Sequence, residues 1–194
     1  MAFKEICGLK EYCKHEVLEH TIELAVEIAR EGREGRKIGT LFIVSDENET
    51  LKRSKNLILD PLYGHPKEAK KICDPNVRET IKELAQLDGA FIVGSDGVLI
   101  SAARYIDASS KCIELPLGLG SRHMAAASIT RDTQAVAVVV SQSSVVRIFN
   151  DGCLIAEIIP EIWLLSKESI KITGPRIEEK VADLRVVSVK EDIA

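Results

Sequence analysis

The pattern of apolar and polar positions predicts helices interleaved with short buried strands. In residues 11–33, apolar side chains recur at steps of three and four from Leu18 to Ala29, opposite a charged side, and this spacing predicts an amphipathic helix. A second helical stripe follows Asp74, which can cap a helix, and Pro75, which suits a first turn. A helix is therefore expected before the first long apolar run of the sequence, and another after it.

Apolar runs that stop at turn residues predict the strands. The run over residues 40–46 and the valine-rich run over residues 135–142 are typical of buried strands. Residues 90–94 and 98–104 flank an Asp-Gly pair, and residues 144–158 contain an Asn-Asp-Gly turn. Both patterns predict β-hairpins, so the middle of the chain is expected to form antiparallel neighbours.

Two segments have weaker patterns. Residues 46–73 begin with a polar stretch that predicts a turn, and the prolines and glycine that follow predict irregular structure with one short strand at most. The last 35 residues start at a proline, and we expect a helix and one or two strands there. Residues 161–194 would form a small C-terminal extension of unknown role beside a main domain, residues 1–160. The fold is predicted as α/β, with a mixed central β-sheet of about six or seven strands flanked by helices.

Composition excludes several classes of protein. The chain has 194 residues, of which 45% are hydrophobic and 29% charged, as expected of a globular domain with a sizeable core. A net charge of −4 argues against a nucleic-acid partner, because it leaves no basic surface to neutralise phosphates. Aromatic residues, at 4%, are too few for platforms that stack single strands.

The sequence also bears on location and on the state of the cysteines. No apolar run reaches the roughly 18 to 20 residues that span a bilayer, and the charged N-terminus has no apolar signal core. We therefore expect a cytoplasmic protein with no membrane partner. The five cysteines are odd in number and form no C-x-x-C pair, which favours reduced thiols.

The segment GLGSRHMAAASIT, residues 118–130, suits the binding of an anion. Glycines let the backbone approach a ligand closely, and a helix that starts here would present unpaired N–H groups and a partial positive charge. Arg122 adds a cation, and Ser121 could cap the helix and donate to a phosphate oxygen. The alternative is an ordinary helix start, in which Ser121 caps, Arg122 is solvated and His123 is half buried. The segment lacks the glycine spacings of the common nucleotide-binding loops.

Two further candidates lie at the ends of predicted elements. Asp88 stands between a helix and a strand, where a carboxylate is exposed and could bind a divalent cation or accept a proton from a hydroxyl. The alternative is a simple turn that stops the helix. Ser141 follows the most apolar strand, and polar groups that bind ligands collect at strand ends in α/β sheets. The alternative there is a loop of small polar residues.

In combination, these motifs resemble the diadenylate cyclase (DAC) domain family. That family carries a D-G-A motif followed, at about this spacing, by a G-T-R-H-R motif, and here DGA stands at residues 88–90 and GSRHM at residues 120–124. The valine-rich strand, SQS and the Asn-Asp-Gly hairpin follow in the same order. The resemblance covers about residues 15–160.

Two positions depart from the family motif. Ser121 replaces a threonine and keeps the hydroxyl. Met124 replaces the second arginine and removes a cation, so ATP affinity or turnover is expected to be lower. Arg104 or Arg131 could supply the missing charge.

The resemblance implies that residues 1–160 are a catalytic domain that joins two ATP molecules into cyclic di-AMP and releases two pyrophosphates. It implies Asp88 as the catalytic residue and metal ligand, with Mg²⁺ or Mn²⁺ as cofactor. The residues implied in nucleotide binding are Gly89, Ala90, Tyr105, Ile106, Gly120, Ser121, Arg122, His123 and Ser141. Tyr105 and Ile106 would form a wall of the adenine pocket, with a core role equally open.

The product itself predicts an assembly. Cyclic di-AMP is two-fold symmetric, and one domain offers one nucleotide face. The simplest solution is a face-to-face homodimer, alone or within a larger homo-oligomer, in which each subunit supplies Asp88 to the ATP of the other. The main alternative is a sensor that binds ATP or a cyclic dinucleotide without turnover. Met124 supports this alternative, because it removes a cation of the family motif. A scaffold domain without a ligand is the third reading.

Overall fold

One β-sheet of nine strands organises the part of the chain that the computed structural model describes, residues 13–107, 113–160, 173–181 and 184–189. The helices are α1 (His15–Glu31), α2 (Glu47–Lys52), α3 (Pro75–Leu84) and α4 (Ser121–Asp132), with a short 3₁₀ helix at Lys67–Lys70. The strands are β1 (Thr40–Val44), β2 (Ser54–Asn56), β3 (Ala90–Val93), β4 (Leu99–Ile106), β5 (Val136–Val140), β6 (Val146–Asn150), β7 (Cys153–Pro160), β8 (Arg176–Val181) and β9 (Leu184–Val189). They lie in the order β2-β4-β3-β1-β5-β6-β7-β9-β8.

The sheet is mixed, as predicted. β1 and β3 run parallel, with Leu41 beside Ala90, and the other neighbouring pairs of described strands are antiparallel. β1 also pairs with β5, which sets Thr40 opposite Val140. Both predicted hairpins, β3–β4 and β6–β7, are present. The α/β class with a mixed central sheet flanked by helices is confirmed.

The sheet is wider than the six or seven strands predicted. β2 lies in the segment expected to be mostly irregular, and it adds an edge strand beside β4. β8 and β9 pair with each other, and β9 pairs with β7, so the two expected C-terminal strands continue the main sheet. The helix expected after residue 160 falls on residues 161–172, outside the described residues. The division of the chain at residue 160 stays a prediction.

The predicted turn at residues 46–50 is wrong, because α2 begins at Glu47. This short helix has almost no apolar face, so hydrophobic periodicity gives no sign of it. It is supported by charge instead: Glu49 lies two residues into the helix, and Lys52 Nζ lies 2.7 Å from its Oε1. Asp46, just before the helix, has φ 49° and accepts a hydrogen bond from the backbone N–H of Gln134 at 2.8 Å.

Alternating side chains of the strands reach two separate cores. On one face, Leu18 and Ile22 of α1 and Ile81 of α3 join Phe42 and Phe91. The two phenyl rings stack with their centroids 5.1 Å apart. Because successive strand residues point to opposite faces, the neighbours of Phe42 belong to the other core.

Helix α4 covers the second face. Its Ala126 and Ala127 are fully buried among Leu41, Ile43 and Val139. Small side chains let the helix axis come close to the sheet, which holds the start of α4 against the ends of the strands. The need for close packing explains why the segment after Arg122 and His123 is rich in alanine and carries little charge.

Helices α1 and α3 are joined by ion pairs. Lys82 of α3 is 6% exposed, and its Nζ lies 2.9–3.2 Å from carboxylate oxygens of Glu27, Glu31 and Glu79. The predicted cap of α3 is confirmed, since the backbone N–H of Asn76 donates to Asp74 at 2.8 Å.

Cys13, Cys73 and Cys153 are free thiols. Within the described residues, no helix combines the length and apolar character needed to cross a bilayer.

Candidate active site

The candidate site lies at the edge of the sheet where β1 and β3 begin and β5 ends. Because β1 and β3 are parallel, Gly39 and Asp88, which precede them, reach the same edge. β5 runs antiparallel to β1, so Ser141, which follows it, arrives there as well. Helix α4 begins beside them at Ser121. The fold therefore brings together residues from three separate sequence motifs.

An ion pair joins the two main motifs. Arg122 Nη2 donates to Asp88 Oδ1 at 2.9 Å, across 34 positions of sequence. The Asp88 side chain is 74% exposed and that of Arg122 is 33% exposed. A Cβ atom added at Gly39 would lie 3.2 Å from Arg122 Nη1, so the guanidinium packs over a glycine backbone. Arg122 Nε is buried without a hydrogen-bond partner among the described residues, so the guanidinium is not saturated.

Gly89 is required by a close approach of two strands. It has φ +104°, and a Cβ atom there would lie 2.7 Å from the carbonyl carbon of Ala103. Ala103 itself has φ 52° and lies in a bulge of β4, where the register with β3 shifts between Ala90 and Ile92. Bulges re-aim the residues that follow them. The glycine of the D-G-A motif thus permits the bulge that sets the direction of the end of β4.

A cavity of about 220 Å³ opens between β4 and α4. Its wall is mostly apolar and contains Leu41, Leu57, Tyr105, Ile106 and Met124. Asp88, Gly89 and Ala90 line its rim together with Ser121 and Arg122. Tyr105 and Ile106, the residues expected to form the adenine wall, thus lie in its lining. A pocket that is apolar on one side and charged on the other suits a nucleoside phosphate.

A second cavity, of about 180 Å³, is more polar and lies on the other side of Arg122. Gly118, Gly120 and His123 line it from the start of α4, and Ser141 and Gln142 line it from the end of β5. Ser121 and Arg122 belong to both cavities. Unpaired N–H groups at the beginning of a helix favour anions, so this cavity suits phosphate groups.

The start of α4 differs from the prediction in one detail. Gly120, not Ser121, is the N-cap residue, and Ser121 is the first residue of the helix. The backbone N–H of Gly120 donates to Nδ1 of His123 at 3.2 Å, so the imidazole takes the place of a capping side chain. Ser121 therefore does not cap the helix, and it lines both cavities.

His123 adds no positive charge to the polar cavity. Its side chain is 7% exposed, and its ring centroid lies 6.1 Å from that of Phe149. Burial, and secondarily the nearby charge of Arg147, lowers the pKa of His123 to about 4. The ring is therefore neutral near pH 7, and the expected role of His123 in holding phosphate stays a prediction.

The structure separates the two arginines that could supply the missing charge. Arg104 lines the apolar cavity, but Nη2 donates to the carbonyl oxygen of Ser54 at 2.8 Å and Nε donates to its hydroxyl at 3.2 Å. Arg131 lies at the far end of α4, roughly 15 Å from its start along the helix axis, where it pairs with Asp132 at 2.8 Å. Arg104 therefore remains the predicted source of the missing charge, and Arg131 lies too far from the site to supply it.

Sequence reasoning missed several residues at the site, among them Gly39, Gln142 and Leu57. Gly39 could have been found from its place directly before a buried strand, and Gln142 from its place within SQS after another. Leu57 could not, because it follows an edge strand that has no apolar pattern and reaches the cavity only through pairing with β4. Its backbone N–H donates to the carbonyl oxygen of Ala103 at 3.0 Å.

Comparison with known proteins identifies the family of this chain. Residues 27–154 match the DAC family model, described as DisA bacterial checkpoint controller nucleotide-binding. The chain is 46% identical over 149 residues to a diadenylate cyclase of Methanocaldococcus jannaschii, with 76% of this chain and 47% of that protein covered. It is 40% identical over 148 residues to a diadenylate cyclase of Haloferax volcanii, with 76% and 54% covered. The chain spans about half the length of the curated relatives it matches.

A solved structure supports the fold. A protein from Bacillus cereus, described as a hypothetical membrane spanning protein, superposes with a TM-score of 0.53 at 22% identity, over 72% of this chain and 62% of its own. The family model covers well over half of the chain and includes both the D-G-A and the S-R-H segments. The chain therefore belongs to the DAC domain family.

Proposed function

We propose that this protein is a diadenylate cyclase, which condenses two ATP molecules into cyclic di-AMP and releases two pyrophosphates. The observation that carries the proposal is the contact between Asp88 and Arg122, at the point where an apolar and a polar cavity meet. Two relatives at 46% and 40% identity bear the name of this activity. Nucleotidyl transfer needs a group that activates a hydroxyl and a cation that holds phosphate. Here a carboxylate and an arginine lie side by side between an apolar cavity and a polar one.

The two cavities divide the nucleotide between them. The adenine and ribose would occupy the apolar cavity against Tyr105, Ile106 and Leu57, and the phosphates would extend past Arg122 toward Gly120 and Ser141. Arg122 would then hold oxygens near the α-phosphorus, because it lines both cavities. Backbone N–H groups at the start of α4 would bind the β- and γ-phosphates.

The chemical step is an in-line substitution at phosphorus. The 3′-hydroxyl oxygen of one ATP forms a bond to the α-phosphorus of the other, and the bond from that phosphorus to pyrophosphate breaks. Asp88 would orient the 3′-hydroxyl and accept its proton. Arg122 and the N–H groups of α4 would stabilise the charge that develops on the phosphate oxygens. A second, identical step closes the ring.

The residues present fit a divalent cation. Asp88 is the single carboxylate among the described residues that line either cavity, and Mg²⁺ is commonly bound by one or two carboxylates together with substrate phosphates. Asp88 would hold Mg²⁺ or Mn²⁺, with hydroxyl and amide oxygens of Ser141 and Gln142 in the adjoining cavity. When bound, the ion would neutralise phosphate charge and favour the departure of pyrophosphate.

Catalysis would require two subunits. Both cavities of the described chain together surround one set of catalytic residues, whereas the reaction needs two ATP molecules in equivalent roles. We therefore expect a homodimer or larger homo-oligomer in which two sites face each other. Product formation per subunit should fall on dilution below the dissociation constant of the dimer. Activity per subunit that stays constant far below that concentration would contradict this arrangement.

The decisive test is incubation of the protein with ATP, once with Mg²⁺ and once with Mn²⁺, followed by mass spectrometry. Cyclic di-AMP that appears with the wild type and not with Asp88→Asn would support the proposal. ATP left intact by a protein that still binds it in calorimetry would instead indicate a sensor. Met124 is the observation that favours this second candidate, since an apolar side chain lies where the family motif places a cation.

A further inference from the structure

A fully buried ion pair lies behind the start of α4. Arg147 of β6 and Glu157 of β7 face each other in the register of the two strands and are 1% and 0% exposed. Arg147 Nε donates to Glu157 Oε1 at 2.7 Å. Placing two charges in the interior costs free energy, and apolar residues of similar size would often stabilise a fold as well or better. A stabilising role alone therefore gives a weak account of this pair.

The pair is directly connected to the candidate site. Arg147 Nη1 lies 3.5 Å from His123 Nε2, and His123 Nδ1 accepts the backbone N–H of Gly120 at 3.2 Å. Phe149, two residues from Arg147 on the same face of β6, lies against the same ring. A continuous series of contacts thus runs from Glu157 through Arg147 and His123 to Gly120, the N-cap residue of α4.

We propose that Arg147 and Glu157 are positioning residues, which hold the His123 ring so that it fixes the first turn of α4 and with it Arg122 and Ser121. This inference rests on the proposed function, because it concerns the same site. Neither Arg147 nor Glu157 lines either cavity, so both act through His123. Glu157 compensates the charge of Arg147 and directs its guanidinium, while Arg147 and Phe149 set the position of the ring.

The groups around the ring keep it neutral. Nδ1 accepts the backbone N–H of Gly120, so Nε2 carries the proton of the neutral ring, and Arg147 Nη1 contacts that side at 3.5 Å. Protonation of Nδ1 would break the bond to Gly120, and the nearby charges of Arg147 and Arg122 oppose it as well. The depressed pKa of His123 agrees with this surrounding. The neutral ring therefore accepts the N–H of Gly120 at the start of the helix, and Arg147 contacts the opposite side of the ring.

The contacts also give a role to the C-terminal strands. β9 is the neighbour of β7 on the side away from β6, and Val187 lies directly opposite Glu157. Val187 and Ser188 are 0% and 1% exposed. β9 thus removes the β7 edge from solvent and helps to keep the carboxylate of Glu157 dry. The last described strand is in this way connected to the helix that bears Arg122.

The test uses the full chain with both charges replaced by apolar residues of similar size, Arg147→Met together with Glu157→Leu. We expect cooperative unfolding to be retained, while kcat/KM for ATP falls by roughly tenfold, mostly through KM, because the first turn of α4 is no longer held in place. The backbone amide signal of Gly120 in NMR should shift. Lys82→Met, which removes a buried cation far from the site, is the matched control and should leave KM unchanged.

The outcomes separate this inference from the proposed function. If the double variant keeps the KM of the wild type and the Gly120 amide signal is unmoved, the positioning role is overturned while the cyclase stands. If the wild type forms no product, ATP affinity from calorimetry replaces KM, with the same criterion. If the double variant does not fold, Arg147→Lys, which keeps a cation and N–H donors, decides: an intermediate KM supports the role, and a wild-type KM with an unchanged Gly120 signal overturns it.

Discussion

Two arginine–carboxylate pairs lie near the first turn of α4. Their N–O distances are similar, and their exposure to solvent is very different. The pair of Arg122 and Asp88 measures 2.9 Å, with side chains 33% and 74% exposed. The pair of Arg147 and Glu157 measures 2.7 Å, with side chains 2% and 0% exposed. In the exposed pair, water and substrate can compete for both partners. In the buried pair, both side chains are shielded from water and from substrate.

The difference in exposure assigns different work to the two pairs. An exposed ion pair contributes at most about 1 kcal/mol to stability, so its members are free to exchange each other for a phosphate or a hydroxyl at little cost. A buried pair costs several kcal/mol when one partner is removed, so its geometry is fixed. We infer that the exposed pair can exchange its partners for substrate, while the buried pair behind it keeps a fixed geometry.

The largest expected effect comes from breaking the exposed pair at its carboxylate. Asp88→Asn should reduce formation of cyclic di-AMP by about a thousandfold, because the proton acceptor and metal ligand is lost, while the melting temperature stays nearly unchanged. Mass spectrometry of the product and calorimetric unfolding measure the two quantities. Asp132→Asn, which alters another exposed arginine–aspartate pair at the far end of α4, is the control. Equal losses in both variants would refute the role of Asp88.

Next in size is the effect of leaving one buried charge alone. Glu157→Gln should lower the free energy of unfolding by about 3–5 kcal/mol, because Arg147 remains charged in the interior without its carboxylate. Urea unfolding followed by circular dichroism measures the change. A loss below about 1 kcal/mol, the size typical of an exposed pair, would show that the two pairs are not distinct in the way that their exposure indicates.

The neutral ring between the pairs predicts a dependence on pH. The pKa of His123 is about 4 in the folded protein and about 6.5 when unfolded, so the unfolded chain binds the extra proton between these values. Stability from this group is complete above about pH 6.5 and falls as the pH drops toward about 4, by about 3 kcal/mol in total. Urea unfolding at about pH 7 and about pH 4.5 tests this. His123→Gln should lose most of the difference, and an identical difference in that variant would assign it to other groups.

The smallest expected effect keeps the charge of the exposed pair and changes its shape. Arg122→Lys retains a cation but loses the planar set of donors that can hold two phosphate oxygens at once. We expect KM for ATP to rise by about tenfold with little change in melting temperature. Steady-state kinetics at fixed Mg²⁺ measures this. An unchanged KM would show that Arg122 acts as a point charge, as a lysine does, and that its geometry is immaterial.

Sequence reasoning singled out both members of the exposed pair, though not their contact, and neither member of the buried pair. Asp88 and Arg122 stand in short motifs at element ends, where polar residues need an explanation. Arg147 and Glu157 stand at alternating positions of strands, where a polar residue usually indicates a solvated face. Their burial depends on α4 and on the width of the sheet, which includes the C-terminal strand β9. Such burial is a tertiary property that strand periodicity does not contain.

Other parts of the fold divide in the same way. Apolar runs and Asp-Gly turns predicted the hairpins, because these pairings are local. The bulge at Ala103 was invisible, because an alanine with φ 52° is stabilised by a neighbouring strand and has no signal in its own sequence. The cap at Asp74 was predicted and the cap at Gly120 was not, since the capping group there is an imidazole three residues further on.

The position of β1 in the interior of the sheet has a consequence for how the protein folds. β1 is the seam between β3–β4 on one side and β5–β6–β7 on the other, and its partners lie far from it along the chain, whereas the hairpins close over short loops. Long-range pairings form slowly, because the entropy of closing a long loop must be met first. We expect the hairpins to gain hydrogen-exchange protection before β1 does in pulse-labelling experiments. Asp88 precedes β3, on one side of β1, and Arg122 lies in α4, which precedes β5 on the other side. The site would therefore form only at the last stage of folding, when β1 pairs with both neighbours.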